Sequence, residues 1–80
     1  MKKIGIKTYE KWVEEYNFET GRSIKIEKAD SDDLIKIWLN DYYYYLEFTS
    51  LFSYAVRSKI GLTKFMNSII EYTDKKLLWI

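Results

Sequence analysis

Leu34-Ile35-Lys36-Ile37-Trp38-Leu39-Asn40-Asp41-Tyr42-Tyr43-Tyr44-Tyr45-Leu46-Glu47-Phe48 decides the fold. Two runs rich in β-branched and aromatic residues flank Asn40-Asp41, and both of those residues tolerate the positive φ that a two-residue type I′ turn needs. Such a loop sets the register. Leu39 falls opposite Tyr42, Ile37 opposite Tyr44 and Ile35 opposite Leu46, while on the other face Trp38 meets Tyr43, Lys36 meets Tyr45 and Leu34 meets Glu47. The first set is uniformly apolar and Phe48 extends it, which marks the core face. The second mixes aromatic with charged side chains and marks the outer face. The four tyrosines therefore divide, with Tyr42 and Tyr44 inward and Tyr43 and Tyr45 outward beside Trp38.

Upstream, Ser23-Ile24-Lys25-Ile26-Glu27-Lys28 alternates strictly and reads as a further strand with Ile24 and Ile26 inward. Ala29-Asp30-Ser31-Asp32-Asp33 joins it to the hairpin as a turn. Earlier still, Tyr9, Trp12, Val13 and Tyr16 recur at helical spacing. The pattern predicts a helix over residues 9–17, with Thr8 as N-cap, Glu10 near the positive end of the dipole, and Asn17 and Gly21 punctuating the turn that follows. Downstream, Phe52, Ala55, Val56 and Ile60 fit one helical face, with Ser50 as cap and Gly61 placed as a C′ stop. Thr63 then caps a last helix striped by Phe65, Met66, Ile69, Ile70 and Thr73. Leu77-Leu78-Trp79-Ile80 is an apolar tail that must be packed, paired or given to a partner. The order is αβββαα: one α+β domain over residues 1–80, a three-stranded antiparallel sheet with helices packed on one face.

Composition removes most chemistry. The 80 residues include no Cys and no His, which excludes thiol nucleophiles, Ser-His-Asp triads, zinc fingers and imidazole metal sites. An aromatic content of 19% helps so short a chain build a core without disulfides. The glycines, Gly5, Gly21 and Gly61, stand alone and form no phosphate loop. Asp30-x-Asp32-Asp33 shares acids with a calcium loop but lacks its glycine, spacing and bidentate glutamate, so it reads as a solvated turn. We expect no catalytic residue, no cofactor and no metal. The basic start Met1-Lys2-Lys3 is followed by charges rather than an apolar run, and no stretch approaches the ~20 apolar residues of a membrane span. A soluble protein in a reducing cytoplasm is the expectation.

Net charge is +1, yet the charges segregate: residues 29–49 carry five acids and one lysine, and the flanking segments are mildly basic. No concentrated basic stripe exists, which argues against nucleic acid as the partner. The nucleic-acid alternative is a sheet whose exposed aromatics stack bases, helped by a small patch of Arg57, Lys59 and Lys64. The αβββα order also resembles the double-stranded RNA-binding domain, but Phe52-Ser53-Tyr54-Ala55-Val56-Arg57-Ser58-Lys59 lacks that family's lysine cluster at the helix N-terminus. A protein partner fits better. Trp and Tyr are the anchors that interfaces favour, so Trp38, Tyr43, Tyr45 and Lys36 form the candidate contact face, with Asp30, Asp32, Asp33 and Glu47 as charge complement.

In size and element order the chain resembles compact phage-encoded inhibitors of CRISPR effectors, and its Lys, Ile and Tyr richness resembles proteins of AT-rich bacterial and phage genomes. That resemblance implies an acidic surface, here Asp30, Asp32, Asp33, Asp41 and Glu47, presented to a basic nucleic-acid groove. Self-association is the rival: the outer aromatic face or the Leu77–Ile80 tail would be buried in a homodimer. The other alternative to a contact site is that the N-terminal segment or the Leu77–Ile80 tail covers the outer rings.

Overall fold

A computed structural model describes residues 3–31 and 33–78, with side chains to residue 75. The element order is α1 (Ile6–Thr20), β1 (Ile24–Lys28), β2 (Leu34–Leu39), β3 (Tyr42–Glu47), α2 (Ser50–Ala55) and α3 (Lys59–Leu78), the expected α+β arrangement. The strands form one antiparallel sheet in the order β1-β2-β3. The β2–β3 register is the one that the two-residue turn dictates, from Leu39 opposite Tyr42 to Leu34 opposite Glu47. Only Asn40 in that turn has positive φ, 60°, so the turn is not type I′, which would need it at Asp41 as well.

Alternation along the strands separates two faces. Ile24, Ile26, Ile35, Ile37 and Leu39 are buried on one side, where Tyr9, Val13 and Tyr16 of α1 and Leu62 and Met66 of α3 pack against them. Tyr9 is the hub. Its ring meets Trp12, Phe48 and Phe52 edge-on at 5.3–5.8 Å, and its hydroxyl donates to the Val56 carbonyl at 2.6 Å. The same hydroxyl lies against Ser53, whose Oγ accepts from the Ile4 N–H at 2.9 Å. Lys3 places its ammonium 4.4 Å over the Phe48 ring. Residues 3–5 therefore run along the helical side and do not cross the outer sheet face.

The helices depart from the sequence reading at their ends. α1 begins three residues earlier than expected, with Gly5 as N-cap and no side-chain cap, so Thr8 and Glu10 lie inside the helix. It ends where Gly21 takes φ 73° and returns its N–H to the Asn17 carbonyl at 2.8 Å, the left-handed closure that glycine adopts without a Cβ clash. α2 stops at Ala55, and Thr49, not Ser50, occupies its N-cap position. The chain breaks at Val56–Ser58, and Gly61 is the third residue of α3 rather than a stop. Ser58 Oγ accepts from the Gly61 N–H at 3.1 Å, so Ser58 caps the helix that Thr63 was expected to cap. Thr63 instead bonds back to the Lys59 carbonyl. Ile60, expected in the core, is 71% exposed.

Tyr42, expected in the core with Tyr44, is 50% exposed. Tyr42 opens the edge strand beside the hairpin turn, where it borders an open groove with Ile70, Thr73 and Asp74 of α3 instead of lying beneath the helix. Tyr44, one pleat further in, is half-buried and shares a 2.8 Å hydrogen bond with the Thr73 hydroxyl. Of the apolar tail, Leu77 and Leu78 continue α3, while Trp79 and Ile80 lie outside the described residues, as do the side chains of Leu77 and Leu78.

Candidate functional site: an aromatic cluster on the open sheet face

The outer face is an array set by register. Lys25, Trp38 and Tyr43 form one row across β1, β2 and β3, and Glu27, Lys36 and Tyr45 form the next. Leu34 and Glu47 follow at the end nearest the β1–β2 turn. Tyr43 and Tyr45 are 47% and 54% exposed, and no described segment crosses them.

These rings are not loose. Trp38 and Tyr43 pack with centroids 5.1 Å apart, and Tyr45 meets Tyr43 edge-on at 5.5 Å. Lys36 bends back over the group, its ammonium 4.3 Å from Trp38, 4.1 Å from Tyr43 and 5.6 Å from Tyr45. One cation thus sits on the electron-rich faces of three rings, each contact being worth roughly 0.5–1 kcal/mol at an exposed site. The indole N–H of Trp38 donates to Glu27 Oε1 at 2.9 Å, and Lys25 pairs with the same carboxylate at 3.3 Å. That indole hydrogen bond, followed by the contact with Lys25, holds the Glu27 carboxyl below its ordinary pKa. Two flanking charges, Lys36 and Glu27, therefore fix the rotamers of the central rings.

The structure gathers Trp38, Tyr43, Tyr45 and Lys36 into one cluster and leaves the acids at its margin. Glu47 is exposed at the far end of β3. Asp30 and Asp33 are exposed on the β1–β2 turn, at that same end, where the Asp33 carbonyl accepts from the Phe48 N–H at 2.6 Å. Asp32 lies outside the described residues. Asp41 sits on the opposite turn. In sequence Glu27 stands out only as a member of the alternating first-strand run, although it pins Trp38. The β1–β2 register puts it beside Lys36, so extending the pairing argument one strand further would have found it.

The rival basic patch does not assemble as a free surface. Lys59 is held by Glu19 at 2.6 Å and Glu15 at 3.7 Å, and the Arg57 guanidinium lies 5.8 Å from the Tyr54 ring. The hydrogen bond that Lys59 donates to Glu19 raises the Lys59 pKa above its ordinary value. Among the described residues no three acidic side chains converge to hold a metal, and no helix is long and apolar enough to cross a membrane. The groove beside Tyr42, about 420 Å³, is lined by Arg22, Asp41 and Asp74 among others. Comparison with protein-family models, curated proteins and solved structures returns no match, so the meaning of this site rests on the chain's own geometry.

Proposed function

We propose that the chain is a non-enzymatic binding module that docks a protein partner on the outer face of its sheet, with Trp38, Tyr43 and Tyr45 as anchors. The observation that carries this reading is the ordered cluster itself, which no described segment covers: three aromatic rings packed in series and held by Lys36 and Glu27. Large apolar surface that is already rigid loses little side-chain entropy on association, which is what an interface anchor requires. Acids at both ends of the face, Asp30, Asp33 and Glu47 at one and Asp41 at the other, favour a partner with basic groups and disfavour phosphate backbones. An inhibitor that lays these acids into the basic nucleic-acid groove of a CRISPR effector is the narrower form of this reading, and cytoplasmic residence fits the cysteine-free sequence.

Affinity capture from cell extract with wild-type protein and with the double variant Tyr43→Ala/Tyr45→Ala tests the proposal. The expected result is a protein retained by wild type and lost with the variant, at unchanged far-UV circular dichroism. Retention by both proteins, or salt-sensitive retention of generic DNA or RNA by wild type, would sink it.

A further inference from the structure

The two edges of the sheet are not equivalent. Antiparallel pairs alternate between those that exchange main-chain hydrogen bonds and those that do not. The Phe48 N–H bonds the Asp33 carbonyl one step beyond the Leu34–Glu47 pair, which makes Ile35–Leu46, Ile37–Tyr44 and Leu39–Tyr42 the bonded pairs of β2 and β3. Tyr43, Tyr45 and Glu47 accordingly turn their N–H and C=O groups away from β2, to the open side of an edge strand. On β1 the same count, fixed by Ala29 N–H to the Leu34 carbonyl, turns Ile24 outward. There the Asn17 amide takes both groups, donating to the Ile24 carbonyl at 2.7 Å and accepting from its N–H at 2.9 Å. β1 is also studded with Lys25, Glu27 and Lys28. β3 carries no lysine and no proline, the residues with which edges are ordinarily guarded.

We propose that β3 pairs antiparallel with β3 of a second copy about a two-fold axis at Tyr45, joining two three-stranded sheets into one of six strands. The register follows from the chemistry. With Tyr45 opposite its counterpart, Tyr43 faces Glu47 of the second copy, so all three outward-turned residues of each strand exchange main-chain hydrogen bonds. On the helical side Tyr44 meets Leu46 of the second copy and Tyr42 meets Phe48, which covers the half of Tyr42 that one chain leaves bare. On the outer side the carboxylate of Glu47 arrives beside the Tyr43 ring, over which Lys36 holds its ammonium at 4.1 Å. Among the described residues no carboxylate pairs with Lys36 within 4.0 Å. Centring instead on Tyr44 would set Glu47 against Asp41 of the other copy, a like-charge pair, and would lose a third of the hydrogen bonds. The assembly goes beyond the partner-binding reading, because it joins two aromatic clusters into one continuous band.

The interface is short, so a dissociation constant on the order of 10–100 µM is expected. Sedimentation equilibrium and amide hydrogen exchange on the full chain, from about 1 µM to 1 mM and with no partner present, test it. The expected result is a concentration-dependent dimer in which the amides of Tyr43, Tyr45 and Glu47 become protected, while those of Tyr44 and Leu46 are protected throughout. Tyr45→Pro deletes an N–H that β2 does not use and should leave a folded monomer. Tyr45→Thr keeps that N–H and should dimerise within about threefold of wild type. Should the proline variant not fold, Glu47→Lys sets a cation against the Lys36 cluster and should weaken the dimer at least about fivefold. A monomer throughout, a dimer without protection of those three amides, or protection only when a different protein is added would each overturn the proposal. None of these readouts involves a capture experiment, so the partner-binding reading can fail or stand separately.

Discussion

Single side chains settle which ends of the sheet are closed. Asn17 sits in the last turn of α1, yet its amide behaves like one residue of an added strand, satisfying both main-chain groups of Ile24. In sequence it reads only as turn punctuation, because a residue's reach across seven positions depends on how helix and strand are angled. Asn17→Ala should cost about 1–2 kcal/mol, since it leaves two main-chain groups to water at a partly buried site. Urea titration would show this as a lower midpoint at unchanged slope; an unchanged midpoint would mean that water replaces the amide without loss. The outer cluster was legible at this scale to a greater degree. Strand alternation alone puts Trp38, Tyr43, Tyr45 and Lys36 on one face, and the structure brings them to one another. What alternation does not encode is the inward bend of the Lys36 stem over three rings, or the indole bond to Glu27.

Elements that follow a period of two were readable almost residue by residue, and those with a period of 3.6 were not. β2 and β3 begin and end where the Asn40-Asp41 turn requires, because a one-residue slip would turn every Ile outward. The helical half offers no such penalty: Phe52, Ala55, Val56 and Ile60 make an acceptable face, yet the chain breaks at Val56 and buries Leu62 instead. Glycine marked the wrong boundary there and the right one after α1. Two substitutions separate the cases. Gly21→Ala forces a Cβ into φ 73° and should cost about 1 kcal/mol. Gly61→Ala meets Ser58 Oγ at 3.4 Å in an otherwise helical position, so the gain in helix propensity, up to ~1 kcal/mol, should leave stability unchanged or raised. Thermal melts of both variants check the pair, and a loss at Gly61 as large as that at Gly21 would contradict the break at Val56–Ser58.

At the scale of the whole molecule, helices cover one face of the sheet and charge-pinned aromatics occupy the other, so its response to pH is set by a few groups. With no histidine, no side chain of ordinary pKa titrates between about pH 6 and 8. On the alkaline side two groups act together. Burial raises the Tyr9 hydroxyl above its ordinary 10.0, against a smaller opposing effect of Ser53, and the hydrogen bond that Lys59 donates to Glu19 raises Lys59 above 10.5. Each raised group holds its proton more tightly when folded, so its contribution is intact below the unfolded pKa and is lost as pH climbs through the folded one. Stability should therefore be level through neutrality and fall above about pH 10. Glu27 acts in the opposite direction, being depressed in the folded protein: its contribution is present above the ordinary carboxyl pKa of 4.5 and disappears as pH falls through the lower folded value. Melting temperatures taken from pH 3 to 11 on wild type and Tyr9→Phe distinguish these limbs. The variant should be less stable at pH 7, having left the Val56 carbonyl without its donor, but should lose less between pH 9 and 11 because its buried ring no longer titrates. An alkaline limb equally steep in both proteins would remove Tyr9 from the explanation and leave Lys59 as its cause.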